Sequence, residues 1–208
     1  MEIHTIPLGP LQTNCYLICT ATTAVCIDPG GAPNPVIAIL LSEKLALSHI
    51  LLTHLHFDHT YGVRALAHIT GAPVYASASD RPLTQTVHGR GGMWGLPEVE
   101  PFDFKPMPLG DYSLLDTTCR VLATPGHTPG GLSYYFPAEE AIFTGDSLFR
   151  RSIGRTDFPG GSTTQLKNAI QTQLFPLPGD TRVYSGHGEP TTIGEERLHN
   201  PMFDDFSL

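Results

Sequence analysis

Three imidazoles and a carboxylate crowd into six residues, His54-Leu55-His56-Phe57-Asp58-His59. Nitrogen and oxygen donors at this density suit a divalent transition-metal site better than an apolar core or a solvated face. The histidines lack the i, i+4 spacing that would place two of them on one helix face. They follow the apolar run Ile50-Leu51-Leu52-Thr53, which predicts a strand over 50–53 that delivers the ligands from its end.

The same design recurs three times. An apolar stretch ends and a metal-capable residue follows a glycine, in Thr124-Pro125-Gly126-His127, Phe143-Thr144-Gly145-Asp146 and Tyr184-Ser185-Gly186-His187. A lone Gly-His or Gly-Asp is more often a plain turn, so it is the recurrence that carries weight. Glycine lets the backbone bend sharply and aim the next side chain. Seven donors are too many for one open site and suit two, with a carboxylate between them. His54, His56 and His127 would form one group and Asp58, His59 and His187 the other, with Asp146 shared. Two divalent ions ~3.5–4 Å apart can share a water and ionise it near neutral pH. The chain has no Gly-x-Ser-x-Gly elbow and no cysteine beside a plausible base, so no other nucleophile competes.

Elements that could hold such a site are readable. Strand-like runs at 3–8, 14–19 and 24–27 lead to the turn Asp28-Pro29-Gly30-Gly31. Residues 35–44 read as a helix with an apolar stripe at Val36, Ile37, Leu40 and Leu41. A second helix, carrying Val63, Leu66, Ala67 and Thr70, stops at Gly71. Residues 77–107, with Trp94, are the least periodic part. Strands resume at 119–123, 132–136 and 141–144. Ser162-Thr163-Thr164-Gln165 matches a capping box, predicting a helix from about 163 to 174, and 182–185 is a last strand. No repeat or linker interrupts this order, which predicts a single domain over 1–208 with two sheets packed together and covered by helices.

Composition removes several function classes. With 12 Lys and Arg against 20 Asp and Glu, the formal charge is -8, which argues against a nucleic-acid partner. Cys15, Cys19, Cys26 and Cys119 make no metal-ligand spacing and lie in apolar stretches, as buried free thiols would. No basic, apolar leader opens the sequence, and the apolar helix stretch at 36–41 is far too short for a bilayer. A cytoplasmic protein with no membrane partner is expected; oligomeric state is not readable.

The HxHxDH stretch at 54–59, with Gly-His127, Gly-Asp146, Gly-His187 and Asp28-Pro29-Gly30, resembles the metallo-β-lactamase superfamily along nearly the whole chain. That resemblance implies an α/β (α+β) fold, an αββα four-layer sandwich of two mixed β-sheets flanked by helices. Within the superfamily the chain looks most like the short form of the glyoxalase II (hydroxyacylglutathione hydrolase) group. Thr124 to Gly130, Gly145 to Phe149, Gly154-Arg155-Thr156-Asp157-Phe158 and Glu196 to Pro201 carry that likeness. It implies a metal-dependent hydrolase that cleaves a small-molecule glutathione thioester such as S-D-lactoylglutathione. Two divalent metals would be its cofactors, zinc first, with iron or manganese as alternatives. Asp58 would be both ligand and catalytic orienter of the attacking hydroxide.

Two departures stand out. The longer enzymes of the group bind glutathione partly through a C-terminal helical domain, whereas this sequence runs to Leu208. They also carry a tyrosine soon after the last metal histidine, where Gly188-Glu189 stands here. Arg155 remains as the substrate-binding cation, able to grip a carboxylate through two parallel hydrogen bonds. Asp146, where zinc β-lactamases commonly have cysteine, disfavours antibiotic hydrolysis. Persulfide dioxygenases share the HxHxDH stretch and a segment like residues 154–158, so a single iron on His54, His127 and Asp146 is the alternative. A non-catalytic, metal-stabilised binding scaffold is the weakest reading.

Overall fold

The structure, a computed structural model, describes residues 1–93 and 95–203; Trp94 lies outside them. The chain folds as two compact units: Met1–Pro108 with Ser113–Thr117, and Leu109–Tyr112 with Thr118–Leu208.

The first unit is built on a six-stranded mixed sheet. β1 (Glu2–Leu8), β2 (Thr13–Cys19) and β3 (Thr23–Ile27) pair antiparallel in succession. α1 (Asn34–Ser42) then crosses to β4 (Ala46–Leu51), which runs parallel to β3. Pro35 sits in the first turn of α1, where its missing N–H costs nothing. After the His/Asp stretch and α2 (Phe57–Thr60), α3 (Val63–Thr70) ends on Gly71, a left-handed residue that closes the helix as its sequence position implies. β5 (Val74–Ala76) is next. Residues 77–107, unassigned from periodicity, hold a 3₁₀ helix (Ala78–Gln85), α4 (Val87–Arg90) and β6 (Lys105–Pro106), the last strand of this sheet. Val36, Leu40, Val63 and Leu66 from the helices pack on Cys15, Leu17, Ile50 and Leu52. β4 begins earlier than its apolar run, because Ser48 and His49 hide its first half from a hydrophobic pattern.

The second sheet has the order β14-β13-β10-β9-β8-β7. β8 (Thr117–Ala123), β9 (Leu132–Phe136) and β10 (Ala141–Gly145) pair antiparallel in succession, and β7 (Gly110–Leu114) lies beside β8 at the edge. Tyr112, a half-buried residue, lies on β7. A small hairpin of β11 (Leu148–Phe149) and β12 (Ser152–Ile153) forms a two-stranded sheet of its own. α5 (Thr163–Ala169) starts at Ser162, whose hydroxyl accepts from the Gln165 N–H at 3.3 Å. The expected helix does reach Leu174, but its last turn, Ile170–Leu174, widens into a π-helix. β13 (Arg182–Ser185) runs parallel to β10 and β14 (Thr191–Thr192) antiparallel to β13. Leu166, Ile170 and Leu174 pack with Ile142, Val183 and Ile193. α6 (Ile193–His199), which the sequence reading did not assign, starts at Thr192, whose hydroxyl accepts from the Glu195 N–H at 3.2 Å.

All four cysteines are free and buried. No helix among the described residues is long and apolar enough to cross a membrane.

Candidate metal centre

Four of the seven expected ligands belong to the first unit. The β4 ladder ends at Leu51, and the chain then turns through Thr53, His54 and His56 before α2 begins. His54 and His56 therefore precede the helix, His56 in an extended conformation as its N-cap, while Asp58 and His59 lie in the single turn of α2. All four are buried. The His54 ring meets that of His56 edge-on at 4.8 Å and lies 4.1 Å from that of His59, centre to centre.

A buried carboxylate sets the protonation of two of these rings. Asp28, 2% exposed, accepts the Thr53 N–H at 2.8 Å and the Thr53 hydroxyl at 2.6 Å. It also lies 2.9 Å from Nδ1 of His59. A carboxylate with those partners only accepts, so His59 carries its proton on Nδ1 and its lone pair on Nε2. The Thr53 hydroxyl directs its one hydrogen to Asp28, so at 3.0 Å from His54 Nδ1 its oxygen accepts from that ring. His54 likewise presents the Nε2 lone pair. The Thr13 hydroxyl donates to Asp58 Oδ2 at 2.9 Å and aims that carboxylate. Gly30 is needed here for space, because a Cβ would collide with the main-chain oxygen of Asp58.

The second unit holds the other three. His127 follows β8, Asp146 follows β10 and His187 follows β13, as their strand-end positions predict. Gly126 (φ 127°) and Gly145 (φ 48°) have the positive φ expected of sharp bends. Gly186 is absent from the positive-φ glycines, so that third bend needs no left-handed residue. Nδ1 of His127 donates to the carbonyl of Arg155 at 2.7 Å, which again leaves the lone pair on Nε2.

Spacing within each unit suits a bound ion. Asp58 Oδ2 lies 3.6 Å from His59 Nε2, and Asp146 Oδ2 lies 3.6 Å from His127 Nε2 and 3.8 Å from His187 Nε2. These separations are too long for hydrogen bonds. Two ligands each ~2.1 Å from one tetrahedral ion would stand roughly 3.4 Å apart. The donor sets, the lone-pair directions and these separations all fit a divalent metal.

Arg155 is engaged within the chain. Its guanidinium forms a two-pronged pair with Asp157, 2.8 and 2.7 Å, and lies 3.9 Å above the Phe158 ring. Hydrogen bonding to Arg155 holds the Asp157 carboxyl down at about 2. Asp28 was read from sequence as part of a turn and of the family resemblance, Thr53 as the end of a strand, and Thr13 not at all; none was read as a partner of a ligand. The sole signal for Asp28 was its place at a strand end before Pro-Gly. Its φ of 50° is a left-handed conformation that aspartate adopts more readily than most residues.

Fold and donor set together define a metallo-hydrolase class of protein. Residues 8–187 match the family model described as the metallo-beta-lactamase superfamily, and the chain belongs to that superfamily. Among its relatives, the hydroxyacylglutathione hydrolase GloC of Haemophilus influenzae is 36% identical over 98% of this chain and 99% of its own length. Among solved structures, BLEG-1 B3 metallo-beta-lactamase superposes with a TM-score of 0.88 at 40% identity, covering 96% of this chain and 98% of that one. TTHA1623 in a di-iron-bound form gives 0.87 at 39% identity, covering 96% and 100%. The αββα class expected from the sequence is thus the fold of these neighbours.

Proposed function

We propose that this protein is a glyoxalase II-like hydrolase that cleaves glutathione thioesters such as S-D-lactoylglutathione. The observation that carries this reading is the 36% identity to GloC along nearly the full length of both chains. His54, His56, Asp58, His59, His127, Asp146 and His187 are proposed as ligands of two divalent ions, zinc first, with iron or manganese as alternatives. When bound, such ions supply Lewis acidity at the thioester carbonyl and lower the pKa of an attacking water.

The chain's own part is preorganisation. Asp28 and Thr53 hold two imidazoles in the tautomer that offers Nε2, and the Arg155 carbonyl does the same for His127. Thr13 fixes Asp58, the proposed catalytic carboxylate, through Oδ2. The leaving group is the thiolate of a thiol with a pKa of ~8.5, so no strong general acid is required. Arg155 is the proposed substrate cation, and its pairing with Asp157 fixes the fork in one orientation while leaving the side chain largely exposed.

Metal analysis of freshly purified protein tests this, beside three assays: S-D-lactoylglutathione hydrolysis, oxygen uptake with glutathione persulfide, and opening of a chromogenic cephalosporin. Two metals per chain with thioester cleavage as the dominant activity is the expected result. One iron per chain with oxygen uptake would replace the proposal with a persulfide dioxygenase working from His54, His127 and Asp146. Dominant cephalosporin hydrolysis would replace it with a lactamase.

A further inference from the structure

The first unit contains a cavity of about 540 Å³, a volume typical of small-molecule sites. None of His54, His56, Asp58 or His59 lines it. Its apolar walls include Phe102, Phe104, Val99 and the side of Leu55, and its polar lining includes Thr84 and Gln85.

Charges around the cavity are unevenly matched. Glu98 is paired with Arg90 at 3.0 Å, and Glu100 with Arg64 at 3.3 Å. Arg81 is different: its guanidinium lies 4.3 Å above the Phe104 ring, and among the described residues no carboxylate pairs with it. A guanidinium laid on an aromatic face keeps its N–H edge available for an oxyanion. The ring and the cation together form a corner with an apolar wall and an anion-binding rim.

We propose that this cavity is a second ligand site, distinct from the metal centre, which takes a small organic monoanion with a flat apolar body. The anionic group would meet Arg81, and the body would lie along Phe102, Phe104 and Val99. A bare inorganic anion fits less well, because it would leave the apolar walls of Phe102, Phe104 and Val99 uncovered. The site also touches the metal-loop main chain. Arg81, Thr84 and Gln85 belong to the 3₁₀ helix whose buried Asp80 accepts the Leu55 N–H at 3.2 Å, and Leu55 stands between His54 and His56. Gly89 allows this close approach, since its Cβ would crowd the carbonyls of Leu83 and Leu55. The proposal does not depend on the thioester reading.

Titration of the full-length protein with phenylacetate and with its neutral counterpart phenylacetamide, followed by calorimetry or ligand-observed NMR, tests it. The expected result is saturable 1:1 binding of phenylacetate, at least tenfold weaker binding of the amide, and at least tenfold weaker phenylacetate binding in Arg81→Gln. Arg182→Gln is the matched control, because Arg182 also lies over a ring, Tyr184, at 5.5 Å in the other unit; it should bind as the unaltered protein does. Val99→Trp, which fills the cavity, should abolish binding with circular dichroism unchanged. Absence of saturable binding, equal affinity for acid and amide, or equal affinity in Arg81→Gln would overturn the proposal.

Discussion

Oδ2 of Asp28 stands 2.9 Å from Nδ1 of His59, and neither side chain is more than 2% exposed. One buried carboxylate thereby fixes a ring that presents its other nitrogen beside Asp58. The same carboxylate takes the Thr53 hydroxyl at 2.6 Å and, through it, orients His54. Removing it should be felt at two ligands together. Asp28→Asn tolerates the positive φ but can accept at one atom only, so we expect about a 10- to 100-fold loss of metal affinity or activity. Metal titration by calorimetry, with hydrolysis measured in parallel, checks this; an Asn variant with unchanged metal affinity would refute it.

Asp146 tests whether two ions share a ligand. Its Oδ2 lies at similar distances from His127 and His187, 3.6 and 3.8 Å. Asp146→Ala is expected to lower bound metal from two per chain towards one or none, with at least a hundredfold fall in kcat. Elemental analysis against protein concentration reads the first, and steady-state kinetics the second.

Arg155 and Asp157 make a claim about substrate binding. Arg155→Ala should raise KM for the glutathione thioester about tenfold with kcat less affected, as expected for a group that binds ground and transition states alike. The partner carboxylate is depressed from its ordinary 3.8 to about 2, chiefly by its hydrogen bond to Arg155. A depressed acid contributes fully above its ordinary value and loses that contribution as pH falls through the lower one. The pair therefore stays intact from pH 5 to 9. KM should show no titration from it there, and a KM profile that Asp157→Asn flattens between pH 5 and 7 would contradict this.

Four buried thiols should be unreactive. Cys15 and Cys26 have their sulfurs 3.4 Å apart, and that contact, followed by burial, raises the Cys15 thiol well above its usual range. Burial pushes Cys119 up to about 12 and Cys19 to about 11. Because the thiolate is the reactive form, a chromogenic disulfide reagent at pH 8 should titrate no thiol in the native protein and four after denaturation. Rapid native reaction of even one would show that a strand carrying it opens.

Glu196 is fully buried and serves four groups: the Arg151 N–H at 2.7 Å, the Arg151 guanidinium at 3.3 Å, the Thr191 hydroxyl at 2.7 Å and the Asn200 amide at 2.9 Å. It ties α6 to the turn after β11. Glu196→Ala is expected to lower stability by about 2–3 kcal/mol, the scale of hydrogen bonds to a charged group. Urea unfolding measures it. A change under 0.5 kcal/mol, the ordinary scale for surface positions, would show that water replaces the carboxylate without cost.

Much of this protein is decided by local chemistry and so is legible in its sequence. Donor type and spacing mark His54 to His59, and a glycine at a strand end marks His127, Asp146 and His187, because each signal lies within a few neighbouring residues. Ser162 and Gly71 announce helix ends for the same reason, since a cap is an interaction across three or four residues. What tertiary structure alone decided is which distant groups serve those ligands. Asp28 reaches His59 across 31 residues and Thr13 reaches Asp58 across 45, while Arg155 turns its carbonyl, not its cation, to His127. The cavity walled by Arg81 and Phe104 is equally silent in the sequence. No periodicity encodes these partners, because a sheet brings residues together by strand order, and strand order is a property of the folded chain.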